Sequence, residues 1–166
     1  MDYLWSPWRY QYVSGGAHRD VCIFCEMAAD PARDRERLVL HRGRFNLIVL
    51  NRFPYTSGHA MVAPYQHVAT LELLGADVLA EMMTLAGALE TALRAAYRPD
   101  GYNLGMNLGR SAGAGIVDHL HLHVLPRWNG DVNFMTSVSD TRVLPEDLNT
   151  SYEKLAAFFP QPAAAP

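Results

Sequence analysis

The sharpest pattern of apolar and polar positions in the chain runs from Asp118 to Arg127, as Asp-His-Leu-His-Leu-His-Val-Leu-Pro-Arg. Successive side chains of a β-strand point to opposite faces. His119, His121 and His123 therefore share one face, and Leu120, Leu122 and Val124 share the other, directed at a core. On a helix the same histidines would fan around the axis and serve no common site. The aliphatic content and the stop at Pro126 also favour a strand.

The rest of the chain supplies companions for this strand. Arg37–His41 and Phe45–Leu50 are strand-like runs separated by the turn Arg42-Gly43-Arg44, and His59–Ala63 is a third, stopped by Pro64. Asn51–Gly58 between them has loop chemistry, and the order suggests an antiparallel meander. A helix is expected from Gly75 to Tyr97, with Leu79, Met82, Met83, Ala86, Leu89 and Leu93 as its apolar stripe. Arg98-Pro99-Asp100-Gly101 ends it. Tyr102–Asn107 reads as a fourth strand and the histidine strand as the fifth, with a small-residue loop, Gly109–Gly115, between them. An extended piece near Thr141–Val143 follows, then a helix from Pro145 to Phe159 whose start suits Glu146 and Asp147. Residues 26–36 read as a charged, exposed connection. Residues 1–20 carry Trp5, Trp8, Tyr10 and Tyr12 and read as an aromatic arm packed over the core or a partner subunit. The expected organisation is an arm over 1–20, a single domain over 21–159 and a disordered Pro/Ala tail over 160–166.

Composition sets the class. A chain of 166 residues, 49% hydrophobic and 19% charged, is an ordinary globular domain with a sizeable core. A net charge of −3 gives no global reason to expect nucleic-acid binding, so anion recognition must be local. No apolar run is long enough to span a bilayer, and no secretion signal is evident, so a cytoplasmic protein is expected. In that compartment the two cysteines, Cys22 and Cys25, read as a metal-binding or redox pair rather than a structural disulfide.

Three of the seven histidines fall within five residues. A solvent-facing strand would carry Thr, Lys or Glu there. Imidazole is a neutral nucleophile, a metal ligand and a proton carrier near pH 7. The Gly109–Gly115 loop can present backbone N–H groups to an anion, though it fits neither the Walker nor the Rossmann pattern and is equally readable as a hairpin connection. Cys-x-x-Cys is half of a tetrahedral zinc site. The other half requires two nitrogens, and His18, His41, His59, His67 and the histidine triplet are available; His67, just after the third strand, meets His119 if those elements are neighbours. A pair of free thiols, or a redox pair, is the alternative.

These residues resemble the histidine-triad (HIT) superfamily. The resemblance rests on His119-x-His121-x-His123-Val124-Leu125 and on Leu50-Asn51-Arg52-x-Pro54-x-x-x-Gly58-His59-x-x-Val62-x-Pro64, and covers about residues 37–127. Leu4-Trp5-Ser6-Pro7-Trp8-Arg9 and Pro126-Arg127-Trp128-x-Gly130-Asp131-x-Asn133-Phe134 resemble a bacterial branch of diadenosine tetraphosphate phosphorylases and ATP adenylyltransferases. The resemblance implies an α+β fold, a five-stranded antiparallel sheet with one long helix and a C-terminal helix, paired as a homodimer. It implies nucleotidyl transfer or hydrolysis at an α-phosphate of a purine nucleotide or dinucleoside polyphosphate. In that scheme His121 is the nucleophile, and His123 and His59 contact phosphate and orient it. Asn51 binds ribose, Val49 and Met61 line the adenine pocket, Asn107 lies near the scissile phosphate, and the backbone at Gly113 and Gly115 holds phosphate oxygens. The galactose-1-phosphate uridylyltransferase branch and several bacterial members add a zinc site at positions equivalent to Cys22, Cys25, His67 and His119. A structural zinc is therefore implied, with His119 as a ligand beside the catalytic histidines.

Gly115, Ile116 and Val117 stand where eukaryotic members carry Gln, Ser or Thr, so leaving-group protonation by such a side chain does not carry over; Asp118 reads first as a strand-edge residue and second as a substitute. Arg127 is a candidate to attract an anionic acceptor, or a plain surface charge. Beside the transferase or hydrolase reading stand a nucleoside phosphoramidate hydrolase and a nucleotide-sensing binding module.

Overall fold

In the computed structural model, residues 21–131 and 144–160 are described. The aromatic arm, the Thr141–Val143 piece and the tail beyond Pro160 lie outside the described residues.

Five strands form one antiparallel sheet: β1 (Val39–Arg42), β2 (Asn46–Leu50), β3 (Ala60–Pro64), β4 (Gly101–Gly105) and β5 (Leu122–Arg127), in the order β1-β2-β3-β5-β4. The expected meander holds for the first three. The histidine strand then inserts beside β3 and leaves β4 at the edge, so the fold is α+β as expected. Alternation sorts side chains onto two faces. Leu40, Ile48, Leu50, Ala60, Val62, Leu120, Leu122 and Val124 pack with the main core. Val39, Leu47, Val49, Met61 and Ala63 pack with Phe24 on the opposite face.

The main core is closed by two helices. The helix after β3 is 22 residues long (Ala76–Tyr97) and that near the C-terminus spans Leu148–Ala156. The long one buries Val78, Met82, Leu85, Ala86, Leu89, Ala92 and Leu93. Met83, expected in its stripe, is 57% exposed, because the true stripe steps through Leu85 and Ala92, one position round. Glu81 accepts from the backbone N–H groups of Arg44 and Phe45 and from Asn46 Nδ2, each within 2.8 Å, and so holds the β1–β2 turn on this helix. Asp147 caps the last helix by accepting from Asn149 N and Thr150 N, and the helix is shorter at both ends than expected.

Two expectations are corrected. Residues 26–36 are not a plain connection: Ile23–Ala29 form a helix, here α1, followed by a 3-10 turn at Pro31–Arg33 and a helical turn, α2, at Asp34–Arg37. With the elements above, the long helix is α3 and the last is α4. α1 was missed because only Phe24 in it is fully buried. Arg42 fastens the segment, pairing with both carboxylate oxygens of Asp34 and donating to the Met27 and Ala28 carbonyls. Second, β5 starts at Leu122, so of the three triad histidines only His123 is in the ladder. Pro64, at the end of β3, has no N–H to extend the pairing. The preceding residues bond elsewhere: Leu120 N donates to the Val68 carbonyl.

One glycine decides where the loop before β3 sits. Gly58 has φ +77°, and a Cβ there would lie 2.9 Å from Leu93 Cδ2 and 3.0 Å from Tyr97 Cε2. Its bare backbone lets the chain lie flat on α3 and aims the next residue, His59. Gly58→Ala is expected to cost about 2–4 kcal/mol from left-handed strain and overpacking. A urea midpoint equal to wild type would show that the close approach is not required.

Candidate active site and metal centre

The buried face opposite α3 carries the chemistry. One cross-strand row runs Val39, Val49, Met61, His123, Gly105. His121 and His119 continue from His123 along the chain, and His59 enters from just before β3. All four histidines are buried, His119 completely.

Backbone groups fix the tautomer of each ring. A carbonyl only accepts and an amide N–H only donates. His121 Nδ1 lies 2.8 Å from the His119 carbonyl, so Nδ1 carries the proton and Nε2 keeps the lone pair. His119 Nε2 lies 2.9 Å from the Pro64 carbonyl, so its proton is on Nε2 and its lone pair on Nδ1. Tyr55 N donates to His59 Nδ1 at 3.1 Å, which leaves the His59 proton on Nε2. That Nε2–H donates to His123 Nδ1 at 2.9 Å, which places the proton of neutral His123 on its own Nε2. Burial lowers the pKa of His121, helped by the His119 ring and opposed by the bond to the His119 carbonyl. Burial, with the neighbouring His123 and His121, lowers His59 to about 3. His121 and His59 are thus held neutral at pH 7, and His121 keeps a basic nitrogen at Nε2 suited to attack an electrophile.

Beside it stands a second group. The ligand atoms of Cys22, Cys25, His67 and His119 all lie within 4.8 Å of one another. His119 Nδ1 is 3.3 Å from Cys22 Sγ, 3.7 Å from Cys25 Sγ and 3.2 Å from His67 Nδ1. His67 Nδ1 is 3.2 Å from Cys25 Sγ. Burial raises the pKa of the Cys22 thiol, but the His119 ring and the N–H groups of Cys25 and Phe24 outweigh it and bring it to about 6. Two sulfurs and the Nδ1 atoms of His67 and His119 gathered this closely fit a tetrahedral, thiophilic divalent ion.

The remaining expected residues fall as follows. Asn51 Nδ2 lies 3.3 Å from His59 Nδ1, and Asn51 Oδ1 accepts from Phe53 N. Val49 and Met61 are buried with Phe24, as a floor rather than an open wall. Asn107 is half-buried just past β4, and Gly115 is exposed in the glycine loop. Gly113 is corrected in part: its N–H is bonded to the Arg110 carbonyl at 2.9 Å, because the loop closes a 3-10 turn at Arg110–Ala112. Arg127 is tied to both Asp131 carboxylate oxygens and to Asn103, which makes it a structural ion pair rather than an anion trap. Asp118 is exposed. Tyr55, whose N–H sets the relay through His59, and Phe24 were not singled out by the sequence. Neither has a signature beyond its neighbours.

The sequence profile of the HIT domain matches residues 35–130. The chain is 39% identical over 162 residues to a Mycobacterium tuberculosis protein named AP-4-A phosphorylase, covering 92% of this chain and 82% of that one. Among solved structures it is similar to a Zn-bound histidine triad family protein from Mycobacterium smegmatis, with 30% identity, TM-score 0.67, and coverage of 84% and 93% of the two chains. It is also similar to a hypothetical histidine triad nucleotide-binding protein from Sulfolobus tokodaii, with 28% identity, TM-score 0.63 and coverage of 82% and 88%.

The depressed pKa of His59 gives the fold a pH dependence. The folded chain takes up that proton only near pH 3, the unfolded chain near its ordinary 6.5. The unfolded state therefore holds the extra proton between these values, so the stabilisation is complete above pH 6.5 and is lost as pH falls toward 3. Urea midpoints between about pH 5 and 6.5, where few carboxylates titrate, should drop as pH falls in wild type and drop less steeply in His59→Asn, where the depressed His121 still contributes. Parallel profiles for the two proteins would contradict this.

Proposed function

Because the chain belongs to the HIT domain family, we propose that it cleaves dinucleoside polyphosphates by nucleotidyl transfer, as a diadenosine tetraphosphate phosphorylase. The reading is carried by one observation: the His119 carbonyl holds the Nδ1 proton of His121 at 2.8 Å, so Nε2 is the nitrogen that attacks. It is supported by the 39% identity to a protein named AP-4-A phosphorylase.

His121 Nε2 attacks the α-phosphorus of one adenylate, the bond from that phosphorus to the polyphosphate breaks, and ATP leaves. The resulting adenylyl-histidine is attacked by inorganic phosphate, the P–N bond breaks, and ADP forms. His123, presenting its Nε2–H, contacts the phosphate, and the chain from Tyr55 through His59 holds it in that tautomer. Neutral N–H donors meet the charge on the equatorial oxygens. Asn51 holds ribose, Val49 and Met61 underlie the adenine, and Asn107 with the backbone at Gly115 bounds the phosphates.

Cys22, Cys25, His67 and His119 would hold zinc, His119 through Nδ1. When bound, zinc supplies a structural cross-link between the start of α1, the segment after β3 and the segment before β5. The chain acts as a single domain over residues 21–159, flanked by an arm and a tail, in the cytoplasm. No described helix is long and apolar enough to cross a membrane. It pairs as a homodimer through the edge of β4, where Leu104 is exposed, and the outer side of α3, where Met83 is exposed.

Elemental analysis of chelator-washed protein should return about one zinc per chain, and metal-free protein with both thiols freely titratable would reject the site. Light scattering at micromolar concentration should give a dimer, and a monomer mass would reject the pairing. The reaction is tested with diadenosine tetraphosphate at saturating phosphate. ATP plus ADP is expected, and His121→Ala should lose about 10³-fold or more of kcat while nucleotide still binds. ATP plus AMP, unchanged by phosphate, would make the enzyme a hydrolase. Tight mononucleotide binding with no product from any dinucleotide would make it a sensor.

A further inference from the structure

The single hydrogen bond at Nδ1 is a modest restraint on the His121 ring. The torsion that turns an imidazole is a broad, two-fold one. Something must wall the ring in, and the structure has two walls. His123 stands edge-on, 4.8 Å between centroids at 73°. Phe24 lies on another side, 5.1 Å away at 39°. The Phe24 ring is completely buried and is shared: its centroid is also 5.0 Å from that of His119, at 47°. Such separations are those of rings in packing contact.

Phe24 is carried by the segment that carries the thiols. It stands between Cys22 and Cys25, at the start of α1, where Glu26 N donates to the Cys22 carbonyl at 3.0 Å. The side chains of residues 22 and 25 reach toward His67 and His119, while that of residue 24 goes under the sheet beside Val49, Met61 and Ala63. Anything that clamps the two sulfurs to the two imidazoles also clamps the backbone from which the Phe24 ring projects.

The geometry points to Phe24 as a positioning residue that orients the His121 ring and couples the Cys22–Cys25–His67–His119 cluster to it. This deepens the nucleotidyl-transfer reading and rests on it. Phe24 touches no reacting atom; it restricts the ring whose Nε2 attacks. A near-attack geometry tolerates little misplacement, and a ring free to turn loses rate rather than affinity. The coupling is reciprocal, since a contact through which the metal cluster orders His121 must also transmit the loss of that order back to the cluster.

The test uses the full chain with Phe24→Leu and Phe24→Met. Both keep an apolar side chain under the sheet without the flat ring, and Met refills the volume best should Leu unfold the protein. Three readouts are taken. Steady-state kinetics on diadenosine tetraphosphate should show kcat reduced about tenfold or more, with KM within about twofold. Long-range proton–nitrogen spectra of histidine-labelled protein should show His121 as the Nδ1–H tautomer in wild type and as an averaged pair of tautomers in the variants. Competition with a chromogenic chelator should show weaker zinc retention in the variants, and zinc removal from wild type should disturb the His121 signal more than removal from Phe24→Leu. Variants that keep wild-type kcat, His121 tautomer and zinc retention overturn the proposal. So does a rise in KM that matches the fall in kcat/KM, or rate loss that merely follows the melting temperature. If wild type turns over no nucleotide, the transfer reading fails, and the tautomer and zinc measurements still decide the coupling.

Discussion

The direction of a few backbone hydrogen bonds controls what the buried histidines can do. An imidazole has two nitrogens and, when neutral, one proton, so a fixed donor or acceptor at one nitrogen dictates the chemistry of the other. The His119 carbonyl makes His121 basic at Nε2. The Pro64 carbonyl makes His119 basic at Nδ1, toward the sulfurs. The Tyr55 amide turns His59 into a donor toward His123. Residues 119 and 121 have opposite tautomers although they are only two positions apart in the chain. Their surroundings differ accordingly: His119 Nδ1 lies in a cluster of soft ligands, and the His121 ring packs beside Phe24 and His123.

This arrangement depends on a sheet buried on both faces. Leu120, Leu122 and Val124 anchor the segment to the α3 side, and Phe24 packs against the histidines on the opposite face. The alternation that the sequence displays between Asp118 and Arg127 is therefore the record of two packing environments. Gly58 belongs to the same constraint. Its flat contact with Leu93 and Tyr97 sets the height of His59 over the sheet, so the helix beneath the core reaches the site through a missing Cβ.

Features with a period were legible in the chain: the five strands, the 22-residue helix and the shared histidine face. The Cys-x-x-Cys spacing marked half of a tetrahedral site, and the family resemblance pointed to His67 and His119 among the histidines for the other half. Features that depend on what one short segment meets in three dimensions were not. α1 has seven residues and a single fully buried side chain, too little for a periodic signal. The start of β5 is set by Pro64 on another strand, and nothing local to His119 announces it. Gly113 looked like an open amide because glycine permits a cradle, but the same freedom lets the loop close on Arg110. Arg127 looked available because its partners, Asp131 and Asn103, are brought to it by a turn and a neighbouring strand.

The burial that makes the site reactive also limits how it can move protons. His59, lowered to about 3, cannot serve as a cationic acid near neutral pH, and burial holds His121 below its ordinary value as well. A relay built on charged imidazolium would work against that desolvation. A relay of neutral rings does not: each accepts at one nitrogen and donates at the other, and net charge stays at the phosphates. The chain from the Tyr55 amide through His59 to His123 has this form, with a backbone N–H at its far end that cannot itself ionise. Such a terminus fixes the direction of the whole chain, so neutral His123 presents a donor at Nε2. Gly115, Ile116 and Val117 add no polar side chain to this arrangement, so the direction of the histidine chain is set from its Tyr55 end.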